Sequence, residues 1–353
     1  MTTLTFAEAS RHSGGDLRYL PAGHGEVLDL STCVTRSGPS PLAVAAAAAF
    51  DPSSLTVHPY GADDRFRSAY AAYLGVDARQ LAVTRGISEP LSVLASMLPA
   101  RRSAALTPDY TGTIRRWALH LPPSPHERDS VVSRIRRLDE AMRRFAFVIL
   151  SNPNNPLGLT VPRDELAELL TRHPHCTLVV DEAYVDYVGD RRESAMTLPH
   201  RNLVVLASPG KPLGIAGTRT GVLWTRDDVL RERVSHRLPE WPLSAYDAHV
   251  VCAALQDRAW IGSALAGARE DARRLEAVLV RFFGDAVVTD VPVHYRFLYD
   301  DRPERLHAHL LADGIATRLL VDDEPGRVQG LRILAPARRE LACLEASLKA
   351  FLR

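Results

Sequence analysis

The chain is 353 residues long, 46 % hydrophobic and 24 % charged, with 43 Lys plus Arg against 42 Asp plus Glu. That length suits one large α/β domain with a smaller companion. The balanced charge gives no electrostatic case for a nucleic-acid partner, and no apolar run approaches the roughly 20 residues that span a bilayer, so neither a nucleic acid nor a membrane is expected as a partner.

Cys33, Cys176, Cys252 and Cys343 form no CxxC or metal-spaced pair, and residues 1–20 carry no apolar signal core, so a reduced, cytoplasmic protein without a metal site is expected. The first dozen residues and the Pro-rich stretch 121–126 read as weakly ordered. The run from Leu42 to Phe50 predicts a helix, and a second, Phe66 to Leu74, is closed by Gly75. Short apolar strands are expected at Leu81 to Thr84, Ala104 to Leu106, Phe147 to Leu150, Thr177 to Val180, Leu203 to Ala207 and Gly221 to Trp224. Continuously apolar strands of this kind belong in a mostly parallel sheet covered on both faces. Between them Arg134, Arg136, Arg137, Arg143 and Arg144 read as a solvated helix face, and His120, His126, His173 and His175 as structural. Beyond the Pro-containing link Leu238 to Leu243 come a helical stretch Ala245 to Phe283, a strand-like pair Val287 to Asp290 and His294 to Tyr299, a helix Pro303 to Asp313 and a strand Leu331 to Leu334. The expected division is an N-terminal arm over 1–40, a large domain over 41–244 and a small one over 245–353.

In open α/β sheets ligands bind beyond the carboxyl ends of the strands. Three clusters stand there. Ser151-Asn152-Pro153-Asn154-Asn155-Pro156-Leu157-Gly158 also suits a plain turn. Asp181-Glu182-Ala183-Tyr184 brings an acid to a strand end, where a helix cap is the ordinary alternative. Ser208-Pro209-Gly210-Lys211, followed by Gly214, Gly217 and Arg219, puts a lysine in a glycine-rich loop, where lysines are usually solvated.

Together and in this order, NPNNPLG, DEAY and SPGKPLGIAGTR resemble the signature of fold-type I pyridoxal 5′-phosphate (PLP) enzymes, especially histidinol-phosphate aminotransferases and their threonine-phosphate decarboxylase relatives. The resemblance runs from about residue 30 to the C-terminus. It implies the aspartate-aminotransferase fold and PLP as cofactor, with Lys211 as the Schiff-base lysine and proton shuttle. Asp181 would keep the pyridine nitrogen protonated; Tyr184 and Asn155 would contact the ring's phenolic oxygen; Ser208 and Arg219 would bind the phosphate.

Thr84-Arg85-Gly86-Ile87-Ser88-Glu89 resembles the family's RGADE segment, with Gly86, Ile87 and Ser88 offering amides to the phosphate at a helix start that runs on from Pro90 to Leu98. Tyr110, in Thr107-Pro108-Asp109-Tyr110, matches the ring that stacks on the pyridine. Arg332 resembles the arginine that clamps the substrate α-carboxylate, and Arg318 one that contacts the substrate side chain in phosphate-using relatives.

Several positions depart from the pattern. The family's Asn-rich NENPxG arm is replaced by Leu30-Ser31-Thr32-Cys33-Val34-Thr35-Arg36-Ser37-Gly38-Pro39, which keeps the Gly-Pro end. The tyrosine that reaches the neighbouring subunit's phosphate site aligns with His58, although Tyr60 lies two residues on. Gly210 replaces a serine before the lysine. These changes point to a specialised relative, of the kind found in secondary metabolism, rather than a true histidinol-phosphate enzyme. The expected function is an aminotransferase working between an L-amino acid and a 2-oxo acid, as a homodimer by resemblance. The alternatives are decarboxylation, cyclisation or oxidation with the same cofactor, and a non-catalytic sensor.

Overall fold

A computed structural model describes residues 16–20, 27–124, 127–189, 191–321 and 326–353. Most of the expected arm up to residue 26, and His126 with its neighbour at 125, lie outside the described residues.

Strand β1 (Leu28–Leu30) precedes a seven-stranded sheet made of β2 (Leu81–Arg85), β3 (Ser103–Leu106), β4 (His120–Leu121), β5 (Phe147–Ser151), β6 (Thr177–Asp181), β7 (Leu203–Ala207) and β8 (Thr220–Thr225). Their order is β2-β8-β7-β6-β5-β3-β4, and β8 runs antiparallel to both of its neighbours while the other pairings are parallel. The expected apolar strands therefore form, within a residue or two at each end. Alternation explains their continuous apolarity: in β7, Leu203, Val205 and Ala207 enter one core while Val204 and Leu206 enter the other.

This topology decides where chemistry can occur. The carboxyl ends of β2, β3, β5, β6 and β7 share one edge of the sheet, and because β8 is reversed, Arg219 just before it arrives at the same edge.

Three later strands, β9 (Tyr295–Tyr299), β10 (Ile315–Leu320) and β11 (Gly330–Leu334), form a second sheet with β1, in the order β1-β10-β11-β9. Its core, with Leu298, Leu319 and Leu331, is separate from the other two. The long helical stretch is two helices, Ala245–Gln256 and Arg258–Phe283. Asp257 divides them with φ −81° and ψ 61°, its carboxylate accepting from the Trp260 amide as an N-cap. Val287 to Asp290 is not a strand: Val287 makes one isolated bridge with Leu298, and Asp290 sits at φ 56°.

The solvated arginine face needs a correction. On the helix Val131–Arg144, Arg134 is fully buried and Arg137 is 8 % exposed. Both donate to Asp129, at 2.8 and 2.6 Å, and Arg137 also donates to the carbonyls of Thr107 and Leu121. A shared acid and backbone carbonyls offset the desolvation that made burial an unlikely reading from sequence.

Candidate active site

Each strand end delivers one part of the site. After β2, Gly86 takes φ 62° and opens the helix Ser88–Met97, whose Glu89 returns to accept from the Arg85 amide at 2.7 Å. Glycine is required here by close approach: a Cβ on Gly86 would lie 3.1 Å from Arg219 Nη2, and one on Gly221 would lie 2.7 Å from the Gly86 carbonyl carbon. Arg219 itself adopts φ 51°.

After β6, Asp181 is 3 % exposed and accepts from the Ala183 amide at 2.9 Å. After β7, Ser208 donates to the Thr220 carbonyl and accepts from the Gly210 amide, which fixes the turn into Lys211. The Lys211 amine lies 4.4 Å from the centre of the Tyr184 ring. Burial pushes the Asp181 carboxyl up and the Lys211 amine down, and attraction between the two opposes both shifts.

The loop behind the lysine is locked to the arm. The Thr35 amide donates to the Lys211 carbonyl at 3.0 Å, and a Cβ on Gly214 would stand 2.2 Å from the Gly38 carbonyl oxygen. This packing gives the Gly-Pro end of the altered arm a structural role.

Two cavities meet at Lys211. The first, about 130 Å³, is lined by all ten residues expected to hold the cofactor: Gly86, Ile87, Ser88, Tyr110, Asn155, Asp181, Tyr184, Ser208, Lys211 and Arg219. The second, about 370 Å³, adds Arg318 and Arg332 from the smaller sheet and shares Tyr110, Asn155, Tyr184 and Lys211 with the first.

Arg318 and Arg332 are cross-strand partners in the β10–β11 register, so their side chains leave the same face of the sheet. Arg332, 6 % exposed, donates to Asn155 Oδ1 at 2.7 Å and to the Ser31 carbonyl at 2.8 Å; its Nε has no hydrogen-bond partner. Arg318, 4 % exposed, donates to Thr111 Oγ1 at 3.3 Å, and burial followed by repulsion from Arg332 and Arg327 pushes its guanidinium down to about 9.

His58 and Tyr60 line neither cavity; His58 stacks on Trp241 with ring centres 4.2 Å apart, and Tyr60 is exposed.

Sequence reasoning gave no role to three residues here. Cys33 lines the second cavity, and burial raises its thiol while Arg332, Lys211 and the Tyr184 hydroxyl oppose that. Asp109 and Ser151 are the others, and the visible signal was an acid and a hydroxyl standing at the ends of buried strands.

The family model for aminotransferase class I and II matches residues 25–294. The chain belongs to this family. Histidinol-phosphate aminotransferase 1 of Pseudomonas aeruginosa is 32 % identical over 239 residues, 66 % of this chain and 67 % of that one. Among solved structures, the histidinol-phosphate aminotransferase of Sinorhizobium meliloti in complex with PLP superposes with a TM-score of 0.78 at 17 % identity, covering 94 % of this chain and 91 % of that one. The L-threonine-O-3-phosphate decarboxylase of Porphyromonas gingivalis gives 0.75 at 20 %, covering 92 % and 99 %. The aspartate-aminotransferase fold is thereby shown, and the chain is a PLP-dependent aminotransferase. Its first cavity fits that group: a glycine cradle beside an arginine and a helix start, a buried acid, and a lysine amine over an aromatic ring. Among the described residues no helix is long and apolar enough to cross a membrane.

Proposed function

We propose that this aminotransferase is a specialised member of its family that exchanges an amino group between a 2-oxo acid and an L-amino acid with an acidic side chain. The observation that carries this reading is the buried cross-strand pair Arg318 and Arg332 in one cavity that opens onto Lys211. Burial first, and repulsion from Arg332 and Arg327 after it, pushes the Arg318 guanidinium down, and an anionic group brought against the pair opposes both effects.

In this reading bound PLP supplies the electron sink for the bond broken at the substrate Cα. Lys211 holds the cofactor through its amine and then moves the Cα proton; burial favours its neutral form, which is the form a base requires. With the cofactor bound, Asp181 would keep the ring nitrogen protonated, Tyr110 would stack on the ring, and Tyr184 and Asn155 would contact its phenolic oxygen. The amides of Gly86, Ile87 and Ser88, with Ser208 and Arg219, hold the phosphate. Arg332 clamps the α-carboxylate as a bidentate donor, and Arg318 takes the acidic group of the side chain. The altered arm and Gly210 support a substrate other than histidinol phosphate. The enzyme works as a cytoplasmic homodimer, supported by the family resemblance and by four free cysteines.

The test is the visible absorbance of the PLP-loaded protein, recorded as single amino acids are added without a 2-oxo acid. Acidic donors, including aspartate, glutamate and O-phosphoserine, should shift the band to shorter wavelength and release a 2-oxo acid, with a 2-oxo acid acceptor reversing the shift. Faster reaction with neutral or basic donors would sink the substrate assignment, and release of carbon dioxide, ammonia or peroxide would replace transamination with another chemistry.

A further inference from the structure

Asp109 stands at the end of β3, is 2 % exposed and lines the second cavity, yet has no part in the chemistry above. Its carboxylate joins two loops. One oxygen accepts from the Tyr110 amide at 2.6 Å, and the other accepts from the Ser151 amide at 2.7 Å and the Ser151 hydroxyl at 3.0 Å. The same Ser151 oxygen accepts from the Asn155 amide at 3.0 Å, and Asn155 in turn accepts from Arg332 at 2.7 Å. One buried carboxylate is thus linked directly to the backbone of Tyr110 and, through two residues, to the guanidinium that faces the substrate.

We propose that Asp109 is a positioning residue of this enzyme, setting Tyr110 against Asn155 and Arg332 so that the ring-stacking face and the carboxylate clamp are aligned on one substrate. The inference rests on the roles assigned above to Tyr110, Asn155 and Arg332.

The arrangement needs the ionised carboxylate. All three hydrogens aimed at it come from donors, and a proton on either oxygen would turn an acceptor toward a donor. Groups on several elements face it: Arg134 of the helix Val131–Arg144, 3.9 Å away, favours ionisation, burial and Asp181 of β6 oppose it, and Tyr295 of β9, its hydroxyl held far above the ordinary phenol range by burial, stays neutral. The balance pushes Asp109 up to about 7. The clamp is therefore intact above that pH and is lost as the pH falls through it.

The experiment is steady-state kinetics of the PLP-loaded enzyme across the pH range from acid to weakly alkaline, for wild type, Asp109→Asn, Ser151→Ala and Arg332→Gln, with thermal unfolding of each. Wild-type kcat/KM should fall on the acid side with a limb near 7. D109N should lack that limb and show KM for the donor raised roughly tenfold, with a smaller change in kcat. S151A, which cuts the relay but keeps the carboxylate, should raise KM a few-fold and retain the limb. A limb that persists in D109N, or an unchanged KM in either variant, overturns the inference; should D109N not fold, the KM of S151A decides it. Arg332→Gln separates the two levels. If it leaves KM unchanged, the substrate assignment itself fails, whereas a raised KM in R332Q beside unaltered D109N and S151A removes Asp109 alone.

Discussion

The two cavities that meet at Lys211 are built differently. The cofactor cavity is lined by loops at one edge of one sheet, each contributing a short contiguous motif: Gly86 to Ser88, Asp181 to Tyr184, Ser208 to Lys211. The second cavity is assembled from the arm, the large sheet and the small sheet, with Cys33, Asp109, Arg318 and Arg332 each from a separate stretch of chain. A site at the edge of one rigid sheet can serve one constant group, while a site shared between sheets can change its substrate by local substitution. The chain's departures from its family touch both cavities: Thr32, Cys33 and Val34 of the altered arm line the second, whereas Ile87, Ser88 and Gly210 line the first.

The comparison can be broken or sharpened experimentally. The largest effect should come from Lys211→Ala, because this residue belongs to both cavities: transamination should fall roughly 10³-fold or more, and the visible band of the lysine-bound cofactor should vanish. Activity within tenfold of wild type would remove Lys211 from its role.

Arg332→Gln should come next, raising KM for the amino acid by roughly 100-fold while PLP affinity, followed by equilibrium dialysis, stays as in wild type. A parallel loss of PLP affinity would show that the cavities are not energetically separate. Cys33→Ser should have the smallest effect, within about threefold in kcat and KM, because burial keeps the thiol protonated and serine preserves its size. A larger loss would give the thiol a chemical role beside Tyr184.

Much of the fold was legible because short apolar strands and the motifs that follow them are local. Thr177–Asp181 carries its apolar run and its acid in five consecutive residues, so the strand and the position of the acid are read together. Arg134 and Arg137 were misread because their partners, Asp129 and the carbonyls of Thr107 and Leu121, are brought to them by loop conformations that no spacing announces. The break at Asp257 escaped notice since helical residues flank it on both sides, and a single N-cap is a weak signal within a long run.

The positions of Lys211, Asp181 and the glycine turn near them at the sheet edge were legible in the sequence alone, since each is set by residues within a few positions of a strand end. Tertiary structure decided the rest. The reversed direction of β8 brings Arg219 to the edge that Gly86 occupies, and the register of β10 on β11 sets Arg318 opposite Arg332. Likewise, the hydrogen bonds that tie Asp109 to Ser151 exist because β3 and β5 lie side by side. Strand direction and register depend on how whole faces are buried against one another, and residues distant in the chain become neighbours only when that burial is complete.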